Sequence, residues 1–469
     1  MMNIFVHEWK GYLRNHVVRN ISLFFIVSLM GVSWLGIVQS NRQIEAQQHA
    51  HEHIRAQWDK MEASNPHHAA HFGSYAFKPV SILNSIDEGI GSVTGNVLRL
   101  EGHIQNEIMY SETSQSLLIS KFGKLTPSLL FQFLIPLFLI ALSFTTYTSE
   151  RETSRLRLLL IQGATIPKII FAKVLAIWSI GCILLFLTTC TQLLFNTQNL
   201  TFDILFRLSL LIGSYSIYYF VLVNLTVTFS LWFRRATASM SLMLVMWISW
   251  TIFLPKVIGS AVEQIIPLPT RVEFQDSMAD DREKGIDGHN PSDERKKKLE
   301  SETLQKYNVQ TLEELPINFA GIVMQADEEY GNEVWDKHFG SLYIQLERQK
   351  NIVQYSGAIN PFSAVQSISM GTAGTDMFHH LDFLKKAEEY RRIFIKTLND
   401  EYAFGGAKTG ERGWKADTEF FQSVKDFTYV QPTITHLSTK YIMDFMMLTF
   451  WFLLSCIVLH TSSKKASVL

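Results

Sequence analysis

The distribution of charge along the chain constrains its fold more than any other feature. Only 18% of the 469 residues are charged, and three long stretches contain no Asp, Glu, Lys or Arg. These stretches hold 25 residues after Lys124, 29 after Lys173 and 26 after Arg207. About 20 consecutive apolar residues in a helix cross the hydrocarbon core of a bilayer, so the stretches are typical of membrane spans. Disorder is excluded, and a net charge of −1 argues against nucleic-acid binding.

Six membrane spans are predicted from the apolar runs. They are expected at residues 20–39, 126–147, 169–195, 206–231, 238–259 and 442–461. Since no water satisfies backbone polar groups at bilayer depth, each span should be helical. Residues 1–19 have apolar positions near helical spacing and are expected to form a cytoplasmic interfacial helix. The first span also resembles a secretory signal, but the 19 residues before it favour a retained span.

The short connections set the expected orientation. On the side that holds both termini they carry 11 basic and 3 acidic residues, which places the termini in the cytoplasm. Residues 40–125 and 261–440 then form two extracytoplasmic regions, and apolar spacing in the second is helical. The predicted fold is therefore an all-α polytopic membrane protein with six transmembrane helices and a large, mainly helical extracytoplasmic domain.

Histidine is concentrated in the first of these regions. Six of the fifteen histidines lie between residues 49 and 71. On a helix, His49 and His53 would share one face, as would His67 and His71, and imidazole pairs are ligands for zinc or copper. The alternative is a solvated loop that tolerates histidine, since neither cysteine nor carboxylate stands at motif spacing.

The sequence contains no signature of a catalytic or nucleotide-binding site. A phosphate-binding loop requires Gly, four residues, then Gly-Lys-Ser/Thr, whereas the nearest string, residues 405–409, has alanine in place of the second glycine. Hydrolase and metalloprotease motifs are also missing from the sequence. We therefore expect a chain that is not an enzyme and binds no cofactor of its own.

Polar residues within the predicted spans are mostly uncharged. Arg207 and Asp444 lie near span ends, where we expect them to reach water. The lack of a charged relay at depth argues against a proton- or sodium-driven porter. Six uncharged residues either line a substrate path or serve helix packing: Gln132, Thr188, Gln192, Tyr215, Tyr219 and Asn224.

The most informative connection is residues 148–168. It begins with Glu150, Arg151 and Glu152, continues through Arg155 into the apolar run 156–161, and breaks at Gly163. A short amphipathic helix there would present Leu156, Leu159 and Leu160 on one side. Such a helix suits either the bilayer surface or the groove of a partner protein, and its chemistry favours neither.

This connection resembles that of ABC transporter permeases of the ABC-2 type, especially the NosY-like branch with a large outer domain. In that family an acidic-Arg-acidic start leads into a Leu-rich run that ends near Gln-Gly, as in residues 150–163, and a lysine such as Lys173 follows. Thr153-Ser154 stands where the family often has Gly-Thr. The outer part resembles the same branch at Asn360–Ser363, Gly371–Asp376, His379, Phe383, Glu388, Tyr390 and Arg391.

The resemblance implies an exporter subunit of the bacterial inner membrane that pairs with a second permease copy or homologue. Two separate cytoplasmic ATPase subunits would bind ATP and Mg²⁺. Residues 150–163 would be the coupling element, with Arg151 and Arg155 pairing to acidic groups of the ATPase and Leu156 and Leu159 filling its groove. One alternative is ATP-driven motion that operates an extracytoplasmic partner without substrate passage. Another is a membrane-anchored metal-handling or sensory protein that uses the histidine-rich region.

Overall fold

The computed structural model describes residues 1–106, 125–153, 155–195, 200–411 and 413–466. Within these residues, six helices are long and apolar enough to cross a membrane, which confirms the prediction of an all-α polytopic membrane protein. In order, the spans are His16–Asp59, Pro127–Glu152, Ile166–Phe195, Phe202–Trp232, Ala236–Ile265 and Ser438–Lys465. Residues 107–124 of the predicted region 40–125, and Ser154 of the predicted connection 148–168, lie outside the described residues.

The first span begins and ends differently from the sequence prediction. A separate helix, Met2–Arg14, precedes it, and the Asn15 side chain then caps the new helix by accepting hydrogen bonds from the backbone of Val17 and Val18 at 3.0 and 3.3 Å. The helix continues past residue 39 to Asp59. Its second half contains no Gly or Pro and is rich in Ala, Glu and Gln, so nothing in the sequence terminates it at the membrane boundary.

The second and fifth spans each contain a widened turn. The backbone is π-helical at Leu130–Leu134 and at Ser249–Phe253, and in both cases a proline, Pro136 or Pro255, follows closely. Proline lacks an N–H group and crowds the carbonyl four residues earlier, so the widened turn relieves that crowding.

The fourth span forms the centre of the bundle. Its residues 218–231 are all buried, and the second, third and sixth spans pack around it. Residues 1–14, 148–168 and 233–235 lie at one end of the bundle, which we call the terminal end. Residues 40–106 and 266–437 form the polar domain at the opposite, domain end.

The polar domain is mainly helical. Its longer helices are Arg271–Lys284, Ser292–Tyr307, Phe319–Tyr355, Pro361–Ala373 and Met377–Phe404, with short helices at Pro66–Phe72, Gly91–Thr94 and Thr418–Ser423. Single 3₁₀ turns occur at Ile82–Ser85, Leu312–Glu314 and Ser356–Ala358. Strand β1 (Ser74–Phe77) pairs antiparallel with β2 (Val97–Leu100).

One helix of the polar domain inserts into the bundle. The ring of Phe362, in Pro361–Ala373, lies 5.4 Å from the ring of Phe133 and 6.5 Å from that of Tyr218, at the middle of the fourth span. One part of the predicted region 261–440 therefore packs among the spans, and the extracytoplasmic placement of the region stays a prediction. The helix is free of charge, and its apolar and small side chains suit burial on every side.

An ion-pair network lies at the centre of the polar domain. Arg391, only 1% exposed, donates to Glu388 at 2.8 Å, to Glu328 at 2.9 Å and to Asn332 at 2.7 Å. Burial opposes ionisation of Glu328, but hydrogen bonds from His103 and the charge of Arg391 nevertheless lower its pKa to about 2. The network fixes helix Met377–Phe404 against helix Phe319–Tyr355.

The neighbouring arginines allow a matched stability test of this network. Arg391→Ala would leave two buried carboxylates without their shared cation and should lower the free energy of unfolding by about 3–5 kcal/mol. Arg392→Ala removes a side chain that is 28% exposed and contacts only one of these carboxylates, Glu388 at 3.0 Å, so it should cost less, about 1 kcal/mol. Denaturant unfolding of the purified chain, followed by tryptophan fluorescence, measures both. Equal losses would contradict a central role for Arg391.

Candidate functional sites

The predicted coupling element forms two short helices at the terminal end. These helices are Thr148–Glu152, which ends in a turn at Thr153, and Arg155–Ile161, and we call residues 148–163 the coupling segment. Gly163 closes the segment with φ = +85°, a backbone conformation that glycine adopts without the strain of a side chain, and its N–H donates to the Leu160 carbonyl at 3.0 Å. The segment then leads directly into the third span.

A shared cation holds the coupling segment in place. The ammonium group of Lys173 lies 2.7 Å from Glu8 and 2.8 Å from Glu150, and its side chain is 6% exposed. One lysine therefore joins helix Met2–Arg14, the coupling segment and the third span. The Trp9 indole also donates to Ser179 at 3.0 Å, which fastens the same N-terminal helix to the third span.

Arg151 makes hydrogen bonds within the chain. Its guanidinium donates to the carbonyl of Arg234 at 2.9 Å and to that of Phe233 at 3.4 Å. These bonds tie the coupling segment to the connection between the fourth and fifth spans. The pairing of Arg151 with acidic groups of a partner stays a prediction, since its side chain is only half-buried, and Glu152 and Arg155 are exposed.

The leucines of the coupling segment divide between two faces. Leu156 is 1% exposed and Leu159 is partly buried, and both pack against the bundle core. Leu158 and Ile161 are 63% and 83% exposed. The expectation that Leu156 fills a partner's groove is therefore wrong, because the apolar stripe of this helix covers its own bundle.

The predicted path-lining residues are packed inside the single chain. Their side chains are at most 6% exposed, and all six have a hydrogen-bond partner within the chain. Gln132 bonds with Tyr215, Thr188 with Leu184, Tyr219 with Phe131, and Asn224 with Ser455. Gln192 accepts a hydrogen bond from Ser85 at 3.0 Å. These contacts favour a role of the six residues in helix packing over the lining of a substrate path within one chain.

Sequence reasoning missed a polar cluster at the domain end of the bundle. The Tyr215 hydroxyl donates to Ser369 at 2.9 Å, and Ser369 donates to Asp87 at 2.5 Å. The amide of Gln132 donates to Tyr215 at 2.9 Å. Residues from two spans and two distant parts of the polar domain meet here, so neither local spacing nor composition could identify the cluster.

Arg207 and Asp444 are buried, contrary to the expectation that they reach water. Arg207 is 3% exposed and donates to Asp203 at 2.5 Å and to the Pro432 carbonyl at 2.6 Å. Asp444 is 0% exposed and accepts from Gln354 at 2.6 Å and Ser367 at 2.8 Å. Both charges pair with groups of the polar domain, which covers these span ends.

Of the two predicted histidine pairs, only one is part of a larger group of imidazoles. His67 and His71 share a face of helix Pro66–Phe72, and their Nε2 atoms lie 3.2 Å apart. His103 joins them, although its sequence position gave no signal for this. Burial, followed by the neighbouring His71, lowers the pKa of His67 to about 4. Among the described residues, His49 and His53 belong to no such group.

Comparison with known protein families gives two matches. Residues 2–308 match the family described as "ABC-2 family transporter protein", and residues 271–430 match a domain of unknown function (DUF3526). No curated protein matches the sequence. The first match includes five of the six spans and the whole coupling segment, whereas the second lies within the polar domain.

The lysine that holds the coupling segment can be tested against a nearby lysine. Lys173→Met should free Glu8 and Glu150 and accelerate amide hydrogen exchange in residues 148–161, because two carboxylates lose their common partner. Lys168→Met, at an exposed position in the same connection, is the control and should leave exchange unchanged. Equal exchange in wild type and Lys173→Met would mean that the ion pairs do not hold the segment.

Proposed function

The chain belongs to the ABC-2 family of transporter membrane proteins, and from this premise we propose that it is the permease subunit of a bacterial ABC exporter, driven by a separate cytoplasmic ATPase. The observation that carries the proposal is the coupling segment. It presents two exposed apolar side chains, Leu158 and Ile161, on a base held by buried ion pairs. We call Leu158 and Ile161 the exposed tip. Because the segment that carries them is held in place, little conformational freedom would be lost when they bind a partner.

The ATPase would bind at the terminal end. In this proposal Leu158 and Ile161 enter an apolar groove of the ATPase, and Glu152 and Arg155 form polar contacts at its rim. Movement of the groove would be transmitted through Lys173 to the third span and through Arg151 to the connection between the fourth and fifth spans. The ATPase would supply ATP and Mg²⁺ binding, and this chain would supply only the transmitting surface.

The proposed orientation places the terminal end in the cytoplasm and the polar domain outside the inner membrane. The short connections and chain ends on the cytoplasmic side carry 11 basic and 3 acidic residues, which supports this orientation. The polar domain would then be the large outer domain of the NosY-like branch, which the motif resemblance supports at residues 360–376 and 379–391.

A second permease copy or homologue completes the proposed transporter. In the fifth and sixth spans only 22% of the residues in the most apolar stretch are buried in the single chain. Lipid would cover part of the exposed surface of these spans and the second subunit the rest. Because the polar residues of each span are packed inside one chain, a substrate path would form between two subunits rather than within one.

A second candidate function is ATP-driven motion of the polar domain that operates an extracytoplasmic partner. The direct fastening of this domain to the spans favours it. Asn360 donates to the Trp250 carbonyl at 2.9 Å, Trp250 to the Ile359 carbonyl at 3.0 Å, and Trp451 to the Gly357 carbonyl at 2.9 Å. Substrate movement in vesicles that contain the permease and its ATPase separates the two functions, because only the exporter requires it.

Single cysteines test the proposed orientation. In a background that lacks the three native cysteines, Ser292→Cys marks the polar domain and Gln162→Cys marks the terminal end, and both positions are exposed. An impermeant maleimide should label only position 292 in intact spheroplasts, and both positions after permeabilisation. Labelling of position 162 without permeabilisation would overturn the orientation.

Substitutions at the exposed tip test docking. Burial of one such side chain contributes roughly 1.5–3 kcal/mol, so Leu158→Asp or Ile161→Asp should weaken ATPase binding by about tenfold or more. Arg155→Ala removes a rim charge worth roughly 0.2–1 kcal/mol and should weaken binding by less than about fivefold. Co-purification and affinity measurement with the ATPase give these values.

The matched control is Leu13→Asp, which places the same charge at a residue that is 58% exposed at the terminal end but outside the coupling segment. It should leave ATPase binding unchanged. If Leu158→Asp inserts normally into the membrane and retains the ATPase at wild-type affinity, the coupling segment does not dock the ATPase.

A further inference from the structure

Three imidazoles meet on one surface of the polar domain. One ring nitrogen from each of His67, His71 and His103 lies within 4.8 Å of the other two. The His103 ring centroid is 5.4 Å from that of His67 and 5.3 Å from that of His71. Two of the residues come from one helix and the third from a loop more than thirty positions later, so the folded chain, not local sequence, creates the group.

Several contacts hold the His103 loop beside the helix. The N–H of Gly102 donates to the Ala70 carbonyl at 3.0 Å, and Arg99 donates to the His71 carbonyl at 2.9 Å. Arg282 donates to the His103 carbonyl at 3.2 Å. These bonds bring His103 to the helix end and fix its backbone in the left-handed region at φ = +65°.

A buried carboxylate orients the third imidazole. His103 Nδ1 lies 3.0 Å from Glu328, whose side chain is 4% exposed and is held in turn by Arg391 at 2.9 Å. When Nδ1–H is donated to a carboxylate, Nε2 is the nitrogen left to bind a metal ion. Metal-binding histidines commonly have such a carboxylate partner, which fixes the tautomer and the ring orientation.

The separation of the helical pair also fits a metal ion. Two nitrogens that each lie about 2.0–2.1 Å from a tetrahedral ion are about 3.3 Å apart. The Nε2 atoms of His67 and His71 are 3.2 Å apart, so the separation of these two nitrogens already matches that of a ligand pair. The His103 ring would move inward to complete the set, and the fourth position would be open to water or another ligand.

From this geometry we propose that His67, His71 and His103 form a binding site for a divalent transition-metal ion of the zinc class, with Glu328 as the positioning residue for His103. The proposal is independent of the transporter function proposed above. It differs from the prediction from spacing, because His103 replaces His49 and His53 as ligand. Mg²⁺ and Ca²⁺ are not expected to bind, since both require oxygen ligands.

The experiment measures Zn²⁺ binding to the full chain, purified in detergent through a tag without histidine, by isothermal titration calorimetry. One Zn²⁺ per chain is expected, without displacement by excess Mg²⁺. His71→Ala and His103→Ala should each weaken Zn²⁺ affinity by at least about tenfold, since loss of a ligand should exceed the effect of losing an outer partner. His71 is exposed, so its substitution should not disturb folding.

Two matched controls give the test its contrast. His68→Ala removes the next residue of the same helix, and His49→Ala with His53→Ala removes the other predicted pair. Both controls should bind Zn²⁺ like the wild type. The proposal is overturned if His71→Ala binds with unchanged affinity, if the controls weaken binding equally, or if the wild type binds no Zn²⁺. In the last case the 3.2 Å contact is simply a hydrogen bond between two imidazoles.

Discussion

The buried guanidinium of Arg207 joins the membrane bundle to the polar domain. It contacts Asp203 in its own span at 2.5 Å, the Pro432 carbonyl at 2.6 Å and the Gly371 carbonyl at 3.3 Å. A guanidinium at 3% exposure that lost these acceptors would be strongly destabilising, so the fourth span and the polar domain are held together. The fork of five N–H donors allows one side chain to bridge three segments, which lysine could not do in the same way.

The terminal end is also held by a buried cation, in this case a lysine that lies between two carboxylates. Lys173 contacts two carboxylates, Glu8 and Glu150, and thereby joins the coupling segment to the third span. The fourth span, which is buried over most of its length, connects this end to Arg207. A displacement of the coupling segment would thus pass through packed helices to the polar domain. Both the exporter and the mechanical alternative require such a connection.

Features that depend on long runs or regular spacing could be predicted from the sequence, whereas those that depend on tertiary contacts could not. Six spans follow from charge-free runs, and the approach of His67 and His71 follows from their spacing on one helix. His103 joins them only because β1–β2 pairing and the Gly102 contact return the chain to that helix. The stripe of Leu156, Leu159 and Leu160 follows from their spacing, but that it covers the chain's own bundle could not be predicted, because periodicity does not say what a helix face packs against.

The central claim is that a separate ATPase binds the coupling segment at its exposed apolar tip. Site-specific photo-cross-linking tests it most directly, with a photoreactive residue at Leu158 and, in a matched chain, at Ser292 of the polar domain. The account predicts a covalent adduct with the ATPase from position 158 and none from position 292. An adduct from position 292, or none from position 158 when the complex is intact, would contradict the account.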